Sequence, residues 1–114
     1  MKQLLALGVL AAALVACGGA TRAQKVAAIS GVAADGKAIY DAQCSNCHGM
    51  DGKGVTTGTN TGTAVVDTIK DRTEESFIAA TIYGVAGTQM ASFANLSDQD
   101  LANVYAYIKE TLVQ

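Results

Sequence analysis

Apolar residues recur along most of this chain at intervals of three and four, and nowhere with the sustained period of two that a half-buried strand requires. The first stripe runs Ala33, Gly36, Tyr40, Cys44 and predicts a helix from about Ala33 through His48. Gly36 is an odd member, because glycine costs a helix about 1 kcal/mol relative to alanine. Close approach of another helix backbone would give it a reason. A short helix over Thr63–Ile69 would turn Val65, Val66 and Ile69 inward. Thr73 followed by Glu74 and Glu75 reads as a capped helix start, with Phe77, Ile78, Thr81 and Ile82 as its buried stripe and Gly84 as its stop. The last helix is the best specified. Ser97 caps it, Asp100 stands at the third position, and Leu96 and Leu101 occupy the two positions of a hydrophobic staple. Leu101, Val104, Tyr105, Ile108 and Leu112 then form its apolar stripe, with Tyr107 on the flank. The stretches rich in Gly, Thr and Asn from Gly49 to Thr63 and from Gly84 to Asn95 are loops. The expected fold class is all-α.

The N-terminus follows other rules. Lys2 precedes an apolar run from Leu4 to Val15, broken by Gly8, which is too short to span a bilayer but has the length of a signal-peptide core. It ends in Leu14-Val15-Ala16-Cys17, a tetrapeptide that resembles a bacterial lipobox. The resemblance implies cleavage after Ala16 and a diacylglycerol thioether on Cys17, with further acylation giving stable membrane anchoring. The plainer reading is an ordinary cleaved leader with a stray cysteine. Residues 1–16 are thus expected to be a lipoprotein-type signal peptide and residues 17–33 a lipidated cysteine and flexible tether, with a fraying helical turn around Ala23–Ile29. A coil of that length would span roughly 20–25 Å. The remaining domain is residues 34–114.

Composition sharpens this picture in two ways. The chain has no tryptophan and two phenylalanines, and its apolar half is rich in alanine. A domain of roughly 80 residues built this way has a marginal core and would gain from a large apolar cofactor. The formal net charge is −2; removing the leader takes away Lys2 and leaves 7 basic residues against 10 acidic ones. No basic stripe is present, which argues against nucleic acid as a partner.

The chemistry is concentrated in Cys44-Ser45-Asn46-Cys47-His48, the C-x-x-C-H attachment signature for a c-type haem. Thiols at i and i+3 share one side of a helical turn, where both can add to the vinyl groups of a single porphyrin. His48 then turns its imidazole toward the iron. A zinc site would want a fourth soft ligand, and only Cys17 remains. A redox dithiol would want a β-α-β setting. With two cysteines on haem c and Cys17 on lipid, none is left for a disulfide.

What fills the sixth iron position decides the use. His48 is the only histidine, Met1 belongs to the leader, and Met50 stands two residues from His48 on the wrong side. Met90, in the loop between two helices, is the candidate by elimination, and methionine opposite histidine is the usual cytochrome c pairing. The rival reading makes Met90 a gap-filler in an apolar pocket.

Gly36-x-x-x-Tyr40 leading into Cys44-x-x-Cys47-His48-Gly49, then Gly52-Lys53-Gly54, Met90 with Phe93 three later, and the closing Tyr107-Ile108-Lys109 together resemble a small bacterial class I cytochrome c over roughly residues 34–112. The resemblance implies three to five helices around one covalent haem, with the first and last crossing so that Gly36 and Tyr40 meet Val104 and Tyr107. It also implies export, placing the domain on the periplasmic or cell-surface side. Two features depart from the family. Met90-Ala91-Ser92-Phe93 stands where Met-Pro-x-Phe is common, and the chain has no proline to supply the carbonyl that usually orients the histidine. Some other carbonyl between Val55 and Val66 must do so, and a more mobile ligand loop is expected.

The function implied is single-electron transfer between transient redox protein partners by a monomer with no catalysis of its own and no small-molecule substrate. A haem sensor or peroxidase-like enzyme, with Met90 displaced, is the alternative. It lacks a spare histidine, and its only arginines are Arg22 and Arg72. A haem module dedicated to one enzyme or terminal oxidase is chemically the same as the carrier.

Overall fold

The computed structural model describes residues 19–56, 58 and 61–114. The expected signal peptide and Cys17 lie outside the described residues. Among those described, the architecture is all-α: α1 (Arg22–Ala27), α2 (Ala33–Gln43), α3 (Ser45–His48), α4 (Val65–Asp71), α5 (Glu74–Tyr83) and α6 (Asp98–Tyr107), the last running on into a π-helical turn, Ile108–Leu112. The one trace of β pairing is an isolated antiparallel bridge between Val55 and Gly62. No helix among the described residues is long and apolar enough to cross a membrane.

The helix count exceeds the three to five expected, for two reasons. The helix predicted from Ala33 through His48 breaks at Cys44 into α2 and α3. The other addition corrects the reading of residues 17–33 as a tether. Thr21 caps α1 through a full capping box with Gln24, and Ala23 and Val26 are buried against Ile78, Ile82, Leu101 and Ala102. Small apolar side chains on a one-and-a-half-turn helix carry little periodic signal, yet they suffice to close this cluster. The short helix expected over Thr63–Ile69 lies two residues further on.

The other starts behave as the sequence predicts. Thr73 Oγ1 accepts from the Ser76 amide and Ser97 Oγ from the Asp100 amide, so each satisfies an amide that the helix itself leaves orphaned. The first turn of α2 has no side-chain cap of its own; instead the buried Asn103 of α6 accepts from the Val32 amide at 2.8 Å and from Gln99 Nε2 at 2.9 Å.

Helices α2 and α6 form the most intimate pair. A Cβ placed on Gly36 would collide with the Asn103 carbonyl and stand 2.9 Å from the Val104 amide nitrogen, so the α6 backbone lies directly on the α2 glycine. One turn on, the Tyr40 and Tyr107 rings meet at 5.5 Å between centroids. Tyr107 is buried and Tyr105 only partly so, the reverse of the expected stripe and flank. The reason is that α6 is buried on two sides. Leu101 and Ala102 serve the α1 cluster, while Val104, Tyr107 and Ile108 join Tyr40, Val65, Ile69 and Phe77 in a second. Tyr105 sits at the margin, edge-on to Phe77 with centroids 5.7 Å apart.

Since the contact at Gly36 is backbone to backbone, Gly36→Ala forces the helices apart rather than a side chain aside. Denaturant unfolding of the variant is expected to show a loss of about 2–3 kcal/mol, at the upper end of ordinary overpacking.

Candidate functional site

Beside the second cluster lies a cavity of about 1090 Å³. Its walls come from widely separated parts of the chain: Tyr40 and Gln43 of α2, the cysteine motif, Val55, Thr56 and Thr61 to Thr63, α4 and α5, the loop after α5, and Val104 and Ile108. Cys44, Cys47, His48 and Met90 all line it, so the four residues singled out around the iron are brought to one enclosure. Cys17 lies outside the described residues.

The motif is held from several sides. Tyr40 Oη donates to the Gly49 carbonyl at 2.7 Å, and burial raises the Tyr40 phenol well above its ordinary value, so this donor keeps its proton. The His48 carbonyl accepts from the Gly54 amide at 2.8 Å, turning the chain sharply after the motif. Beyond it, the paired Val55 and Gly62 bring the next residues back alongside Cys47. The approach is so close that a Cβ on Gly62 would overlap the Cys47 carbonyl.

That return supplies the carbonyl whose identity was missing from the sequence. The Thr63 carbonyl oxygen is 2.7 Å from His48 Nδ1. A carbonyl can only accept, so Nδ1 carries the proton and Nε2 of the neutral ring is left as the free electron pair. Fixing one ring nitrogen to present the other is how proteins commonly prepare a histidine for a metal. The thiols do not look like a redox pair. Burial pushes the Cys44 thiol up to about 11, whereas catalytic dithiols depress the pKa of their attacking cysteine.

The methionine loop, expected to be loosely held, is fastened to α5. Gly84 ends the helix at φ 74°, Val85 N donates to the Met90 carbonyl at 3.4 Å, and Thr88 Oγ1 accepts from Met90 N at 3.2 Å. Ser92 Oγ donates to the Ile82 carbonyl at 2.6 Å and Phe93 N to the Thr81 carbonyl at 3.0 Å.

A flat, largely apolar group anchored by two thioethers and one imidazole fits these walls. They are mainly aliphatic, aromatic and threonine side chains, and Arg72 is the one Asp, Glu, Lys or Arg among the described lining residues. Its guanidinium suits the carboxylates of a porphyrin. Gly62, Thr63 and Arg72 are the site residues that sequence reasoning missed. A backbone carbonyl has no side-chain signature, and a lone arginine in a loop has no pattern.

Comparison with known proteins agrees with this geometry. The family model described as cytochrome C oxidase, cbb3-type, subunit III matches residues 31–108. The chain belongs to this family. It is a small class I cytochrome c, with a haem-based electron-transfer role. The matched span holds the motif, the cavity walls and the Met90 loop but not α1. No curated protein and no solved structure matches.

Because Gly62 sets the distance between Cys47 and the chain bearing Thr63, Gly62→Ala is expected to displace the His48 partner. The alkaline pyridine spectrum should then show less covalent haem per mole of exported protein, by about threefold or more if the affected bond carries a typical ~1 kcal/mol.

Proposed function

We propose that this protein is a membrane-tethered, mono-haem c-type cytochrome, ligated by His48 and Met90, that shuttles single electrons between redox protein partners. The observation that carries the reading is the shared cavity: two thiols, an imidazole with Nδ1 tied to the Thr63 carbonyl, and a methionine all reach it. When bound, the haem supplies the one-electron couple. The chain's residues supply the rest. Cys44 and Cys47 hold the group covalently, His48 presents Nε2, and Met90 provides a neutral soft ligand that favours the reduced state. With His48 and Met90 both given to the iron, no position would be left for a substrate, and the protein would act as a carrier rather than an enzyme. The family description names an oxidase subunit, which makes a terminal oxidase the first partner to test.

The second half of the proposal is the anchor. Cys17 carries the lipid after cleavage of residues 1–16, and the domain sits outside the cytoplasmic membrane. With α1 capped by Thr21 and docked, only residues 18–20 are left to act as a leash, about 14 Å of chain at full extension from Cys17 to Thr21. That is shorter than the tether the composition implied, and it keeps the domain close against the lipid surface as a monomer.

Met90→Ala is expected to lower the reduction potential by on the order of 0.1 V, part of the roughly 0.8 V range that axial ligation commands. The reduced variant should bind carbon monoxide rapidly where the wild type binds it slowly. An unchanged potential and low-spin spectrum would remove Met90 from the iron. Cys17→Ser is expected to move the protein from the membrane to the soluble fraction and to abolish lipid mass on the mature N-terminus; a membrane-bound Cys17→Ser protein would refute the lipid anchor.

A further inference from the structure

The methionine loop has a second fastening, and it comes from the opposite end of the chain. Arg22, the first residue of α1, spends its whole guanidinium on the stretch that returns from Met90 to α6. Nη1 donates to the Ala94 carbonyl at 2.8 Å, Nη2 to the Leu96 carbonyl at 2.6 Å, and Nε to Asp98 Oδ1 at 2.8 Å. These contacts bridge 72 to 76 residues of sequence. Between Met90 and this clamp the chain is short and without regular secondary structure, and the Leu96 amide turns back to the Phe93 carbonyl at 3.0 Å. Ser92 and Phe93 pin the near part of the loop to α5, and Arg22 pins the far part to α1. Helix α1 itself is seated by Ala23 and Val26, so the arginine is presented from a fixed base.

We infer that α1, which lies outside the span shared with the family, is a strap that keeps Met90 on the iron, with Arg22 as a positioning residue for the axial ligand. The inference rests on Met90 being that ligand. Arg22 is not among the residues that line the cavity. It acts by limiting how far Ala94–Asp98 can swing, and so how far the loop can carry the thioether away. A planar guanidinium spreads its donors over three nitrogens in a rigid fork, whereas the three donors of an ammonium all radiate from one atom. The pair with Asp98 is only partly shielded, with side chains 30% and 44% exposed, so its charge adds modestly to the clamp.

The test uses the intact haem-loaded protein and compares Arg22→Ala, Arg22→Gln and Arg22→Lys with Lys25→Ala, an exposed position on the same helix. Three readings are taken: the methionine-to-ferric-iron charge-transfer band, the rate of carbon monoxide binding to the reduced form, and amide hydrogen exchange at Phe93 and Leu96. In Arg22→Ala the band should weaken, and carbon monoxide should bind about threefold to tenfold faster; tenfold corresponds to about 1.4 kcal/mol. Exchange at both amides should accelerate. Arg22→Gln, which stays folded through Ala23 and Val26 if the alanine variant does not accumulate, should behave similarly. Arg22→Lys should recover only part of the effect, and Lys25→Ala should match the wild type. Arg22 variants that melt earlier yet keep wild-type band, binding rate and exchange would overturn the strap and leave Arg22 a stability residue. A wild type without the band, binding carbon monoxide as fast as Met90→Ala, would instead overturn the ligand reading on which the strap depends.

Discussion

The absence of a side chain at Gly36 is the constraint on which this structure turns. With a hydrogen in place of a methyl, α6 can lay its Asn103–Val104 backbone on α2. Every distance downstream follows from that contact. It brings Tyr40 against Tyr107, puts Asn103 within reach of the Val32 amide, and leaves Val104 and Ile108 as one wall of the cavity that the cysteine motif enters. The cysteines are presented by α2 and the α3 turn that follows it, so an error in the crossing would be carried straight into the motif.

From this crossing the site is assembled largely through backbone carbonyls and amides, with two hydroxyls donating to them. The Tyr40 hydroxyl and the Gly54 amide fix the two ends of the turn after His48, and the short pairing of Val55 with Gly62 delivers the Thr63 carbonyl to the imidazole. On the far side, carbonyls of Thr81 and Ile82 at the end of α5 hold the methionine loop. Helix ends have unsatisfied carbonyls to offer. Here they serve as the fastening points of a loop without secondary structure, and so hold Met90 beside the cavity in a chain without proline.

This division explains what could be read from the amino acids. Motif chemistry and helix signals are local: Cys44–His48, the caps at Thr73 and Ser97 and the glycine at 36 announce themselves within a few residues, and the caps and the glycine sit as read. The Thr63 carbonyl is a group every residue possesses, so only the return of the chain could single it out. Arg22 lies in a stretch of Ala, Thr and Gly that looks like a linker, and its three acceptors are distant in sequence. Tyr105 and Tyr107 exchange roles because α6 serves two clusters, a circumstance invisible to a pattern that assumes one buried face.

The near absence of formal charge on the cavity walls has a consequence for speed. When an electron arrives or leaves, the surroundings must relax to the new charge, and mobile dipoles, ionising groups and water dominate that relaxation. Walls of aliphatic, aromatic and threonine side chains, with the imidazole tied to a carbonyl and the methionine loop tied to helix ends, have few groups free to move. For a haem held in this cavity, such walls would favour a small reorganisation energy. Electron exchange with redox protein partners would then ask little rearrangement of the protein itself.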